Sequence, residues 1–388
     1  MRIVIATGIF PPDIGGPATY SKVLAEELVK RGHTVTVVTY GSNESRSKNQ
    51  ESRNNNYELR VTSYELRKGI RHMVYFWRVY RAGRNADVIY AQDAVSAGFP
   101  AAVAALLLKR RFILKIVGDH AWEQGVQRFG VRDLLDDFLG KSYGARVGML
   151  RMVQRFAGRR AKHIIVPSEY LKSVVERWGL KPDKITVIPN AVSISQNLVS
   201  KKEARAKLGL DSEAFILLSI GRLVPWKGFG MLIELMPRIT AKISDAKLII
   251  IGNGPDEDIL RVTSYELRVP VIFTGGIPKE NIALYLAAAD MFCLNTAYEG
   301  FSHQLIEAMT AGIPVITTNA GGNKEIIRDG ENALVARYND DADWQEKIFL
   351  LYHNEALRLR LSRGGEHIAD HYSLERMVIK TESIIRNS

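Results

Sequence analysis

The sequence predicts an α/β protein made of two parallel-sheet domains in tandem. Three observations lead there. The chain has 388 residues, beyond the size at which one hydrophobic core keeps growing. Short apolar strands alternate with amphipathic helical stretches from end to end, the pattern of stacked βα units. That rhythm breaks once, at Asn190–Ser200 (NAVSISQNLVS), which is polar, lacks helical periodicity and reads as a linker. The predicted domains are therefore 1–190 and 191–372.

In the first half, strands are expected at Arg2–Thr7, Thr34–Thr39, Asp87–Ala91, Phe112–Val117, His163–Pro167 and Lys184–Ile188. Between the first two, a helix over Ala18–Arg31 would place Val23, Leu24, Leu28 and Val29 on one face, with Gly32 ending it. The second series is expected at Phe215–Ile220, Lys247–Ile251, Val271–Thr274, Met291–Leu294, Pro314–Thr317 and Ala333–Val335. A last helix begins at the capping residue Ser373.

Composition narrows the class. Hydrophobic residues make up 46% and charged residues 24%, as in ordinary globular proteins and unlike disordered chains. The single cysteine, Cys293, cannot form an internal disulfide and fits a reducing compartment. The opening MRIVIATGIFPP has too short an apolar run for a signal peptide, and Ala97–Leu108 is too short to span a bilayer. A cytoplasmic location is expected. Residues 1–200 carry 31 Lys+Arg against 17 Asp+Glu, a balance of +14, whereas residues 201–388 carry 22 against 25, or −3. The first half thus projects a positive field suited to anionic lipid or another polyanion, unless its cations only solubilise the surface. No nucleic-acid partner is expected.

The nonapeptide LRVTSYELR occurs twice, at Leu59–Arg67 and Leu260–Arg268. It does not recur at a solenoid period, and both copies fall between predicted core strands, where insertions are tolerated. An accidental repeat is preferred over a duplicated recognition segment. Its first copy is expected to be dispensable.

Three segments carry chemistry. Tyr298–Gly312 (YEGFSHQLIEAMTAG) follows a strand, and Ser302 is a plausible cap for a helix Ser302–Ala311. Helix-start amides at a sheet's carboxyl edge suit a diphosphate. Glu299 and Glu307 can face one cleft, where two acids near a diphosphate would hold neutral sugar hydroxyls. Ser219–Gly228 (SIGRLVPWKG) offers Arg222 and Lys227 on a turn whose glycines let a ligand approach. Gly8–Gly16 (GIFPPDIGG) ends in Gly15 and Gly16, a glycine-rich loop without the dinucleotide spacing.

Together with VPSEYLKSVVERWG, ITVIPNAV and IGNGP, these segments resemble the family 4 glycosyltransferases over nearly the whole chain. Two glutamates eight apart joined to G-R-L-x-x-x-K-G make the match specific. The resemblance implies the GT-B fold: two Rossmann-like domains facing a cleft, with the last helix (373–388) returning to the first domain. It implies that Arg222 and Lys227 bind the donor diphosphate, Glu307 the ribose, and Glu299 the transferred sugar. Gly300 and the amides of Phe301, Ser302 and His303 would meet phosphate and sugar, with Gly15 and Gly16 closing from the first domain. It further implies transfer with retention, a nucleotide sugar as co-substrate, no cofactor and no divalent metal, and a glycan or lipid-linked acceptor. No metal-spaced His/Cys cluster is seen.

The chain departs from the family at KIVGDHAWE, where Gly118 takes the place of a histidine usual in relatives. Asp119 or His120 could orient the acceptor, with Asp119 preferred; a capping role for the pair is the plainer alternative. A helix over Lys141–His163, bearing seven cations with Val147, Leu150, Val153, Phe156 and Ala157 between them, could lie on an anionic membrane or pack on the sheet. The rival to an enzyme is a non-catalytic nucleotide-sugar or polyanion-binding protein.

Overall fold

The computed structural model describes residues 1–13, 15–41, 57–63, 67–192 and 199–388. Its contacts divide it into one unit of Met1–Asn190 with Leu374–Ser388, and a second of Ala191–Ser373. Of the predicted linker, 193–198 lie outside the described residues.

The first unit holds a parallel sheet of β1 (Arg2–Ala6), β2 (Thr34–Gly41), β3 (Glu58–Ser63), β4 (Val88–Gln92), β5 (Arg111–Lys115), β6 (His163–Val166) and β7 (Ile185–Val187), in the order β3-β2-β1-β4-β5-β6-β7. Its central strands are buried on both faces, which explains their continuous rather than alternating hydrophobicity. Ile3 pairs with Val35 on one side and Val88 on the other, so the chain reverses its direction of travel between β1 and β4. Ligands bind outside the carboxyl ends of strands at such a reversal.

The connections leaving β3, β4 and β5 all step the same way. Right-handed crossover therefore puts helices Lys68–Gly83, Gly98–Leu107 and Ala145–Arg160 on one face, where neighbours pack in a row. Helix Gly16–Lys30 and the terminal helix Leu374–Asn387 pack together. Glu382 ties them: its carboxylate bonds His33 Nε2 at 2.9 Å and Arg31 Nη1 at 3.4 Å, just past the first helix, and Arg386 Nε of its own helix at 2.8 Å. The His33 hydrogen bond, then that of Arg386, holds the Glu382 carboxyl below its usual range.

The second unit's sheet is also parallel: β8 (Ile216–Ile220), β9 (Lys247–Ile251), β10 (Val271–Gly275), β11 (Met291–Leu294), β12 (Val315–Thr318) and β13 (Leu334–Ala336), ordered β10-β9-β8-β11-β12-β13. Alternate residues feed two cores. Leu217, Leu248 and Ile250 join Phe229 and Trp344, while Ile216, Leu218, Ile249 and Ile251 join Leu305 and Val315. Cys293 lies inside the first of these, and burial pushes its thiol up to about 12.

Two expectations need correction. The first copy of the repeat is no dispensable insertion: Leu59–Ser63 lie in the edge strand β3, with Val61 opposite Thr39 of β2, while 64–66 lie outside the described residues. The second copy lies mostly in helix Glu257–Glu266. The same valine is 8% exposed as Val61 and 53% exposed as Val262, so context alone sets its conformation. The membrane helix is likewise shorter than expected, Ala145–Arg160. Of the apolar side chains read as its lipid face, Val147 and Ala157 are buried, whereas Leu150, Val153 and Phe156 are partly exposed, with Phe156 packing edge-on against Phe99 at a centroid distance of 5.6 Å.

Candidate functional site

In the second unit the sequence-chosen residues collect at the carboxyl edge, on either side of the reversal between β8 and β11. Chain leaving β8 passes Gly221 and Arg222, makes a short 3-10 turn at Pro225–Lys227, and enters helix Phe229–Thr240. Gly228 joins them at φ +54°, and a Cβ there would lie 2.6 Å from the Asn295 carbonyl oxygen. Only glycine fits both demands. Chain leaving β11 is stitched to this turn: Ala297 N–H donates to the Trp226 carbonyl at 2.8 Å, and the Asn295 amide donates to that of Gly228 at 3.0 Å.

The stitching brings Lys227 Nζ onto Glu299 Oε1, with both side chains 10% exposed. Arg222, by contrast, is exposed and has no hydrogen-bond or ion-pair partner among the described residues. Glu299 is clamped from behind. Gly322 N–H donates to its carbonyl at 2.7 Å, and Gly321, at φ +54°, passes so close that a Cβ would sit 2.2 Å from that oxygen. Gly300, Phe301 and Ser302 lead into helix His303–Thr310, where Ser302 Oγ accepts from Leu305 N–H at 3.4 Å. The amides of Phe301, Ser302 and His303 thus stand at the positive end of a helix dipole.

Glu307 lies one turn inside that helix with its side chain 12% exposed, and Lys279 Nζ approaches it at 3.4 Å. Burial raises the Glu307 carboxyl above its usual value, and Lys279 pulls it back. Sequence reasoning missed Lys279, Gly321 and Gly322. Their partners come from other strands, and no spacing rule connects positions so far apart. Among the described residues no three His, Cys, Asp or Glu side chains cluster as metal ligands.

In the first unit Gly15 caps helix Gly16–Lys30, and its carbonyl accepts from Ala18 N–H at 3.0 Å. Asp119 proves to be a buried cap. Its Oδ1 accepts from Trp122 N–H at 2.9 Å and Gln154 Nε2 at 3.3 Å, and its Oδ2 from Trp178 Nε1 at 2.8 Å. Both oxygens are committed and the residue has no exposed surface, which reverses the preference for Asp119 over His120. His120 opens the helix His120–Arg128 that Asp119 caps and is partly exposed. Beside it lies Asp93, which sequence reading passed over. It follows β4 at φ +64° and accepts from Val95 N–H at 2.7 Å and Ser96 Oγ at 3.0 Å. Burial raises the Asp93 carboxyl, while the charge of His120 and those hydrogen bonds act against the rise.

Known proteins resemble the chain over both units. The family model "Glycosyltransferase Family 4" matches residues 14–196, and "Glycosyl transferases group 1" matches residues 200–367. The chain is 28% identical over 355 residues to an uncharacterized glycosyltransferase of Methanocaldococcus jannaschii, covering 86% of this chain and 84% of that one. It is 26% identical to the GDP-mannose-dependent α-(1-6)-phosphatidylinositol monomannoside mannosyltransferase of Mycolicibacterium smegmatis, covering 87% and 86%. Among solved structures, HepE of Anabaena in complex with UDP and glucose superposes with a TM-score of 0.80 at 19% identity, over 100% of both chains.

Proposed function

The chain belongs to glycosyltransferase family 4, a GT-B enzyme, and from that premise we propose that it moves a hexose, with retention, from a UDP- or GDP-sugar to a lipid-linked or polysaccharide acceptor in cell-envelope glycan synthesis. The observation that carries the reading is the Lys227–Glu299 contact at the sheet's carboxyl edge, beside exposed Arg222 and half-buried Glu307. A cation already held at an acid, next to helix amides and a second acid, suits a ligand that is anionic at one end and rich in hydroxyls at the other.

In this reading Arg222 and Lys227 neutralise the departing diphosphate, where negative charge grows as the glycosidic bond loosens. Amides of Phe301, Ser302 and His303 add to that field, and Gly300 keeps the backbone approachable. Glu307 holds the ribose and Glu299 the sugar hydroxyls. His120 orients the acceptor, and Asp119 fixes the helix that presents it. The leaving phosphate takes the acceptor proton on the same face, so no cofactor or divalent metal enters and activity persists in chelator. The location we propose is cytoplasmic, at the inner face of the membrane. Among the described residues no helix is long and apolar enough to cross one.

Thermal melting against a panel of UDP- and GDP-sugars tests the donor, since a ligand at a hundredfold its Kd adds about 2.7 kcal/mol to folding stability. Acceptor-dependent release of nucleoside diphosphate then separates an enzyme from a binder. Donor binding without release under any acceptor overturns the catalytic reading.

A further inference from the structure

Helix Lys68–Gly83 turns Tyr75 and Val79 into the core, both fully buried. The opposite stripe runs Ile70, Met73, Trp77, Arg81 and on to the capping residue Arg84, along one line of the helix. All five are exposed; Ile70, Met73 and Trp77 leave 45%, 57% and 53% of their surface in water. At the basic end of the stripe a cavity of about 460 Å³ is lined by Arg60 of β3 with Arg78, Arg81, Arg84 and Asn85. Arg110 donates to the Arg84 carbonyl at 2.6 Å, which draws a further cation into this corner. The helix descends from the carboxyl end of β3 to the amino end of β4. Its arginine-rich end therefore lies toward the edge of the sheet opposite Gly16 and His120.

The apolar surface continues along the same helical layer, at Leu107 of Gly98–Leu107 and at Met149 and Met152 of Ala145–Arg160, each more than half exposed. Single exposed apolar residues are normal, but three in line beside four guanidinium groups around a concavity are not.

We propose that this face docks on an anionic phospholipid surface, with the arginine cavity taking a lipid phosphate and Trp77, Met73 and Ile70 entering the boundary between headgroups and acyl chains. Guanidinium forks match phosphate oxygens bidentately, and tryptophan favours the membrane interface. The +14 balance of residues 1–200 supplies the long-range attraction. The purpose of the contact rests on the proposed lipid-side acceptor, although the contact itself stands on residues of the first unit alone.

The test is co-sedimentation of the full chain with vesicles of phosphatidylglycerol and phosphatidylcholine, against phosphatidylcholine alone, at low and high salt. The wild type is expected to bind only the anionic vesicles, and less at high salt. Arg81→Glu/Arg84→Glu should weaken that binding roughly 30-fold or more, from about 1 kcal/mol per cation at the surface. The milder Arg81→Gln/Arg84→Gln should fall between, and Trp77→Phe should lose the vesicle-induced shift in tryptophan emission. Melting temperature and donor-induced stabilisation, both measured without vesicles, should stay at wild-type values. Wild-type binding by the glutamate variant, or no binding by the wild type, overturns the proposal. Undisturbed vesicle binding in a protein that binds no donor would instead overturn the transferase reading alone.

Discussion

The two cations of the Arg222–Lys227 turn are expected to fail in different ways when removed. Lys227 sits on Glu299 with both side chains 10% exposed, so Lys227→Met leaves a carboxylate buried without its partner. Breaking a buried pair from one side costs about 3–5 kcal/mol, and a pair on a loop at the sheet edge belongs at the low end. At about 2–4 °C per kcal/mol for a domain of this size, the melting temperature should fall by roughly 6–12 °C. Arg222 is exposed and unpartnered among the described residues, so Arg222→Ala should shift stability by no more than about 0.5 kcal/mol. Both variants should lower kcat/KM by about two orders of magnitude, because each removes a donor aimed at the leaving diphosphate. Melting curves beside steady-state kinetics on the four proteins, including Lys227→Met/Glu299→Gln, resolve the two effects. The double variant should melt above Lys227→Met, since it buries no unpaired charge. Wild-type melting in Lys227→Met, or a comparable loss of stability in Arg222→Ala, would refute the reasoning.

Three further outcomes follow from the geometry. Gly321→Ala should weaken donor-induced stabilisation at least tenfold in apparent affinity, because its Cβ would lie 2.2 Å from the Glu299 carbonyl at a positive φ; titration of the melting shift with nucleotide sugar checks it. Deleting Tyr57–Arg67 should cost soluble yield and cooperative melting, because it removes β3 and bares the hydrogen-bonding edge of β2; a deletion that melts like the wild type would return the segment to a dispensable loop. Burial lowers the Lys115 amine to about 7, and its Nζ lies 4.1 Å from the centre of the Tyr20 ring. An unfolded lysine titrates near 10.4, so from about pH 7 to 10 the unfolded chain holds a proton the folded chain has shed, and stability rises with pH. Below pH 7 both forms hold it and the burial cost stands in full. Lys115→Met should therefore raise the melting temperature most at pH 6, with the gain shrinking toward pH 10.

Features that local chemistry sets can be read from the residues alone. Strand–helix alternation gave the α/β class, and of the thirteen strands among the described residues only β3 escaped notice. Arg222, Lys227, Glu299 and Glu307 were legible because a glycine turn and a capped helix start are short-range devices with fixed spacing. Tertiary structure decided whatever depends on a partner from elsewhere in the chain. LRVTSYELR has no conformation of its own: beside the open edge of β2 most of it forms a strand, and behind the acidic first turn Glu257–Asp258 most of it forms a helix. Asp119 looked as able as His120 to meet an acceptor until Trp122, Gln154 and Trp178 claimed both its oxygens. Lys279 reached Glu307, and Gly321 reached Glu299, only because parallel strands bring their carboxyl ends to one edge. The four arginines of the first unit became a cavity only when β3 was laid beside helix Lys68–Gly83. Propensity and capping act over a few residues, whereas burial and ion pairing depend on distances in space that sequence separation does not encode.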